Sequence, residues 1–157
     1  MKLKRLLLIT TLSIILFSCK DKNSSFVQVK SIETEIYNSI KEYRETHDQT
    51  GPFVHQYLMV EEAQLWSYKM ATGLVPLGTQ GLDEHWARLD EKYTFYNKSG
   101  LVMKSGFHNG EQILTELLLI TGADSILLSD VTQCGVGVET DPDGINFITI
   151  LLAKADS

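Results

Sequence analysis

Thr132-Gln133-Cys134-Gly135-Val136-Gly137-Val138-Glu139 reads as a strand. It is followed by Asp141-Pro142-Asp143-Gly144 and then by Ile145-Asn146-Phe147-Ile148-Thr149-Ile150-Leu151-Leu152-Ala153. Pro142 presets φ for the first turn position and Gly144 admits φ > 0, so the two stretches should pair as a hairpin. Ile, Val, Phe and Thr suit a pleated, half-buried surface. The predicted hairpin core is Val136, Val138, Phe147 and Ile150. Gly135-Val136-Gly137 is no nucleotide fingerprint, because it lies within a strand and no helix follows it. Glycines inside a strand instead admit a close neighbour or a bulge.

Upstream, the pattern is helical. Ile32, Ile36, Ile40 and Tyr43 form one apolar stripe over residues 31–45, with Ser31 as the expected N-cap. Met59, Ala63, Trp66 and Met70 share a face over 59–71, and Gly73 stands where a C-terminal cap belongs. A short helix is expected over 83–92, with Trp86, Leu89 and Tyr93 on one side and Asp83 as its cap. Two strand-like runs, 93–96 and 101–103, are split by Asn97-Lys98-Ser99-Gly100, which suggests a hairpin. A helix over 110–120 should bury Ile113, Leu114, Leu117, Leu118 and Thr121, and one turn of helix follows at 124–128. Helices first and an antiparallel hairpin last predict an α+β fold.

The chain opens with a targeting segment. Lys2, Lys4 and Arg5 precede an apolar run over residues 6–17. That run falls short of the roughly 20 residues a spanning helix needs. Leu16-Phe17-Ser18-Cys19 resembles a bacterial lipobox, which implies cleavage before Cys19 and acylation of that residue. The expected organisation is a signal peptide over 1–18, a polar tether over 19–28 and one domain over 29–157. The formal net charge is −6, and loss of residues 1–18, with three basic groups and no acid, takes the mature chain to −9. No basic run remains to track phosphates, which argues against nucleic acid as a partner. With Cys19 carrying lipid, Cys134 is alone and reads as an inert core thiol.

The order of these features resembles the CAP superfamily of cysteine-rich secretory, antigen 5 and pathogenesis-related proteins, whose unit is the SCP domain. Tyr43-Arg44 with His47-Asp48 is similar to its opening helix. Ala63-Gln64-Leu65-Trp66-Ser67 with Met70-Ala71 is similar to its second. Val75 to His85 resembles its cleft segment, Gly110-Glu111-Gln112 its Gly-Glu-Asn signature, and residues 132–138 with Phe147-Ile148-Thr149-Ile150 its closing strands. The resemblance implies an α-β-α sandwich with a small antiparallel sheet and a cleft on one side.

The family places two His and one or two acids in that cleft, and some members bind a divalent metal there. Here Thr79 stands where one His is expected, Ala123 takes the other His position, and His85 stands near an expected Arg. The Trp expected on the helix after Glu111 is missing. Imidazoles serve as metal ligands and as bases near neutral pH, so these replacements imply a cleft without metal or cofactor. Restoring both imidazoles should then restore zinc affinity. Glu111, His85 and His108 are the remaining candidates for acid-base chemistry. Glu111 also suits the start of a helix by its charge. His85 reads as an ordinary partly exposed side chain, and His47 and His55 as surface residues. No Gly-x-Ser-x-Gly elbow, phosphate-binding loop or His-Glu-x-x-His helix occurs in the sequence.

The sequence therefore points to a cell-envelope protein held by lipid on Cys19, in the outer membrane or a periplasm-facing membrane. Its CAP-like domain reads as a non-catalytic module for an envelope protein or a small apolar ligand. The alternatives are a hydrolase using Glu111 with a nearby His, and a structural envelope lipoprotein.

Overall fold

A computed structural model describes residues 27–155. The signal segment, Cys19 and most of the tether lie outside the described residues. The elements are α1 (Ser31–Thr46), β1 (Val54–His55), α2 (Tyr57–Ala71), α3 (Leu82–Asp90), β2 (Phe95–Ser105), α4 (Gly110–Leu117), α5 (Ala123–Leu127), β3 (Gln133–Thr140) and β4 (Asn146–Ala155). The expected hairpin is β3–β4, paired antiparallel with Val136 opposite Ile150. It sits at the centre of a sheet of order β1-β3-β4-β2.

The side-chain alternation of the hairpin sorts the helices into two layers. Val136, Val138, Ile148, Ile150 and Leu152 meet Ile36 and Ile40 of α1, Ile113 and Leu117 of α4 and Leu127 of α5. On the other face, Leu151 and Ala153 meet Met59, Ala63, Trp66 and Met70 of α2 and Leu82, Trp86 and Leu89 of α3. This is the α-β-α sandwich that the sequence led us to expect.

Gly135 and Gly137 are the reason α2 lies so close to the sheet. A Cβ at Gly135 would come 2.3 Å from the Met59 carbonyl carbon, and one at Gly137 would come 2.1 Å from that of Ala63. Ser67 of α2 completes the contact, with its hydroxyl 2.9 Å from the Gly137 carbonyl and 2.8 Å from the Thr149 hydroxyl. Gly110 does the same for the other layer. A Cβ there would lie 2.6 Å from the Glu35 carbonyl carbon, so the start of α4 rests on the backbone of α1.

Several expectations are corrected. The sheet is mixed, because β1, which was not foreseen, pairs parallel with β3. Asn97-Lys98-Ser99-Gly100 makes no hairpin. It is an irregularity within the single strand β2, where the register against β4 shifts between Tyr96 and Ser99; the bulge re-aims the strand without reversing it. α2 begins two residues earlier than expected, with the Gln56 side chain capping Leu58 and Met59. α4 ends at Leu117, which leaves Thr121 exposed. The cap of α1 is Lys30, and that of α3 is Gly81 with φ 105° rather than Asp83. Tyr93 is 47 % exposed. Phe147 has the opposite parity to Ile150, so it packs towards α2 and α3 rather than with Val136 and Val138, and it is only half-buried there.

Two buried charges, neither foreseen, tie α1 to the sheet and its connections. Glu33 is fully buried. It accepts hydrogen bonds from the Val138 amide at 2.9 Å, the Lys30 amide at 2.8 Å and Gln64 Nε2 at 2.8 Å. Lys30 Nζ in turn donates to the Val138 carbonyl. Both backbone groups of Val138 on the edge beyond the short β1 are thereby satisfied, which closes an otherwise open strand. Arg44 stacks on Phe53 at 4.5 Å and donates to the carbonyls of Leu127, Ser129 at 3.1 Å and Val131 at 3.0 Å. It pins the segment that leads from α5 into β3. Cys134 is buried, as expected, and burial pushes its thiol pKa up.

Candidate functional site

The layer formed by α2 and α3 carries two polar assemblies. The first is closed. His85 is wholly buried, not partly exposed as expected. Its Nδ1 lies 2.6 Å from Glu62 Oε2, and its Nε2 lies 3.3 Å from Lys69 Nζ. The consistent arrangement is Nδ1–H donating to Glu62 while Nε2 accepts from Lys69. Arg88 grips the same carboxylate, with Nε 2.9 Å from Oε1 and Nη2 2.6 Å from Oε2. Trp66 meets the imidazole edge-on at 5.1 Å, and its indole N–H is satisfied by the Gly78 carbonyl at 3.0 Å. Burial pushes the Glu62 carboxyl pKa up, but the hydrogen bonds from His85 and Arg88 outweigh that and hold it at about 2.

Glu62 is the residue that sequence reasoning missed. The available signal was helical geometry: Glu62 and Lys69 are seven residues apart, and Trp66 lies between them at i+4, so the three share one face of α2. The partner on α3 was visible only once the helices were docked.

The second assembly is open. A groove of about 500 Å3 runs between α3 and β2, lined by Thr79, Leu82, Asp83, Trp86, Ala87, Asp90, Lys98, Ser99 and Gly100. Asp90 and Lys98 form an ion pair at 2.6 Å beside it. The Ser99 hydroxyl is buried and makes no hydrogen bond. Five of the nine lining residues are polar or charged, so the groove suits a polar ligand better than an apolar one. No imidazole lines it.

The other candidates are scattered, and only Thr79 reaches the groove. Thr79 borders this groove, whereas Ala123 is fully buried among the side chains of the α1–α4–α5 layer and lines none of the groove. Glu111 is exposed in the first turn of α4, where its charge complements the helix dipole. It borders shallow depressions with Glu35, Ser39 and Glu42 of α1. His108 is exposed, with Nδ1 3.0 Å from the side-chain nitrogen of Asn146. His47 is exposed, as expected. His55 is not a free surface residue, since it stacks on Tyr37 at 4.5 Å and burial lowers its pKa. Among the described residues, no group of three or more His, Cys, Asp and Glu side chains has the geometry to hold a metal ion. No helix among them is long and apolar enough to cross a membrane.

No family model matches the sequence, and no curated protein matches it. Solved structures do share its architecture. An outer surface protein of Borrelia burgdorferi superposes with a TM-score of 0.69 at 13% identity, covering 83% of this chain and 97% of its own. An extracellular protein containing an SCP domain from Bacillus anthracis superposes with a TM-score of 0.64 at 19% identity, covering 78% of this chain and 40% of its own. The fold is CAP/SCP-like.

Proposed function

We propose that this protein is an envelope lipoprotein, anchored through Cys19, whose CAP-like domain is a non-catalytic binding module. The groove between α3 and β2 is the binding surface. The observation that carries this reading is the separation of hydroxyls from imidazoles. Thr79 and Ser99 line the open groove with no imidazole beside them, and a hydroxyl nucleophile requires an adjacent base. The His–carboxylate pair that is present, His85 with Glu62, has no imidazole surface open to a substrate and both ring nitrogens in use. An unpartnered hydroxyl at Ser99 and the charges of Asp83, Asp90 and Lys98 favour a polar envelope component as ligand. The outer surface and extracellular character of the two structural neighbours supports the location.

Photo-crosslinking tests it. A photoreactive residue at Asp83 should capture an envelope component in cells, and the groove-filling change Ser99→Trp should abolish the capture. The same probe at Glu42 should not capture that component. Turnover of chromogenic ester, amide or phosphoester substrates that is lost with Ser99→Ala would overturn the non-catalytic reading.

A further inference from the structure

We propose that the outward face of α2 rests on the bilayer that holds the anchor, so that the domain is docked on the membrane rather than free at the end of a leash. The inference builds on the lipid-anchored reading above. Along α2, positions 57, 61, 65, 68 and 72 fall within one arc of the helix surface. Three of them are large and apolar or aromatic and stand in solvent: Tyr57 is 66 % exposed, Leu65 40 % and Tyr68 49 %. Just beyond the helix, Leu74 at 69 % and Leu77 at 47 % extend the same chemistry. The opposite face of α2 is used up in the core by Met59, Ala63, Trp66 and Met70, so α2 is apolar on its outside as well. Tyrosines suit a headgroup region, because the ring is apolar and the hydroxyl stays wet.

The path of the chain selects the bilayer as the occupant. The tether meets the folded domain against α2, where the Gln28 carbonyl accepts a hydrogen bond from Gln64 Nε2 at 3.2 Å. Gln64 borders the exposed stripe. Cys19 precedes Gln28 by nine residues, which extend to about 30 Å at most. That reach is little more than the roughly 22 Å length of a fifteen-residue helix. The arc also holds Glu61, which is half-buried, and α3 in the same layer exposes Asp83, Glu84 and Asp90, so the tether rather than charge selects this face.

The test holds the mature chain on vesicles of phosphatidylethanolamine, phosphatidylglycerol and nickel-chelating lipid, through an oligohistidine tag in place of Cys19. A polarity-sensitive fluorophore is placed at Tyr68→Cys, at Leu74→Cys or at Glu42→Cys; buried Cys134 does not compete for label. Quenching by a spin-labelled lipid should be several-fold greater at positions 68 and 74 than at 42. Equal quenching at all three, or more at 42, overturns the proposal. So does a dimer in sedimentation velocity that Tyr68→Ser with Leu74→Ser dissolves, since the face would then belong to a second copy. The tag substitutes for the lipid, so this result is independent of whether Cys19 is acylated, which mass spectrometry of the native protein decides separately.

Discussion

His85 Nδ1 lies 2.6 Å from Glu62 Oε2, and the imidazole making that bond has no surface in solvent. The pair, with Arg88, fastens α3 to α2. The Glu62 carboxyl has its pKa lowered from 4.5 to about 2. A carboxylate with a depressed folded pKa stabilises the fold above its unfolded pKa, and that stability is lost as pH falls through the folded value. Between pH 4.5 and pH 2, wild type should therefore lose about 3 kcal/mol through this group. Glu62→Gln should be less stable than wild type at pH 7 and should lack this loss on acidification. Urea denaturation at both ends of the window checks it; a deficit of the same size at pH 7 and pH 2 would contradict the assignment.

Gly137→Ala should be among the most damaging conservative changes in the chain. Its Cβ would meet backbone atoms of Ala63 and Gln64, which cannot rotate aside as a side chain can. Overpacking costs about 1–3 kcal/mol or more, and we expect the upper end or failure to fold. Gly106→Ala, with nothing within 4 Å of the new Cβ, is the control and should leave the denaturation midpoint nearly unchanged.

Within β4, Ile150→Ala should destabilise by about 2–5 kcal/mol, because Ile150 is fully buried. Phe147→Ala should cost less, about 1–2 kcal/mol, because Phe147 is only partly buried. The reverse order would mean that the two faces of the strand are misassigned.

Calorimetry should find no binding of zinc by the mature domain at micromolar concentrations. Nor should Thr79→His with Ala123→His create a site, contrary to the expectation from sequence. Ala123 has no exposed surface and lies in the core of the α1–α4–α5 layer, so an imidazole there should lower stability. Zinc affinity gained by the double variant without loss of stability would refute this placement.

Cys19→Ala should move the protein from the membrane fraction to the soluble fraction and remove acyl mass from its N-terminus. Persistence at the membrane, together with unacylated wild type, would exclude the lipid anchor.

The sequence by itself determined the C-terminal hairpin, the main helices and the α+β class, and the resemblance of its motifs implied the α-β-α sandwich. The hairpin and helices depend on local rules: the period-two alternation of Val136, Val138, Ile148 and Ile150, the Asp141-Pro142-Asp143-Gly144 turn, and the apolar stripes of α1 and α2. It also marked Gly135 and Gly137 as points of close approach or of a bulge, and the packing of α2 decided for close approach. Tertiary structure alone decided the site. Glu62 and His85 stand 23 residues apart on separate helices, and no local pattern distinguishes an acid that faces solvent from one that faces a docked neighbour. β1 was illegible because its two residues are held by pairing with β3 rather than by propensity. Asn97-Lys98-Ser99-Gly100 has the composition of a turn, yet β4 holds it in one strand, since the ladder on either side outweighs the local preference. Ala123 matched a motif position by order along the chain, and only the packing of α5 under Arg44 and α1 carried it into the core.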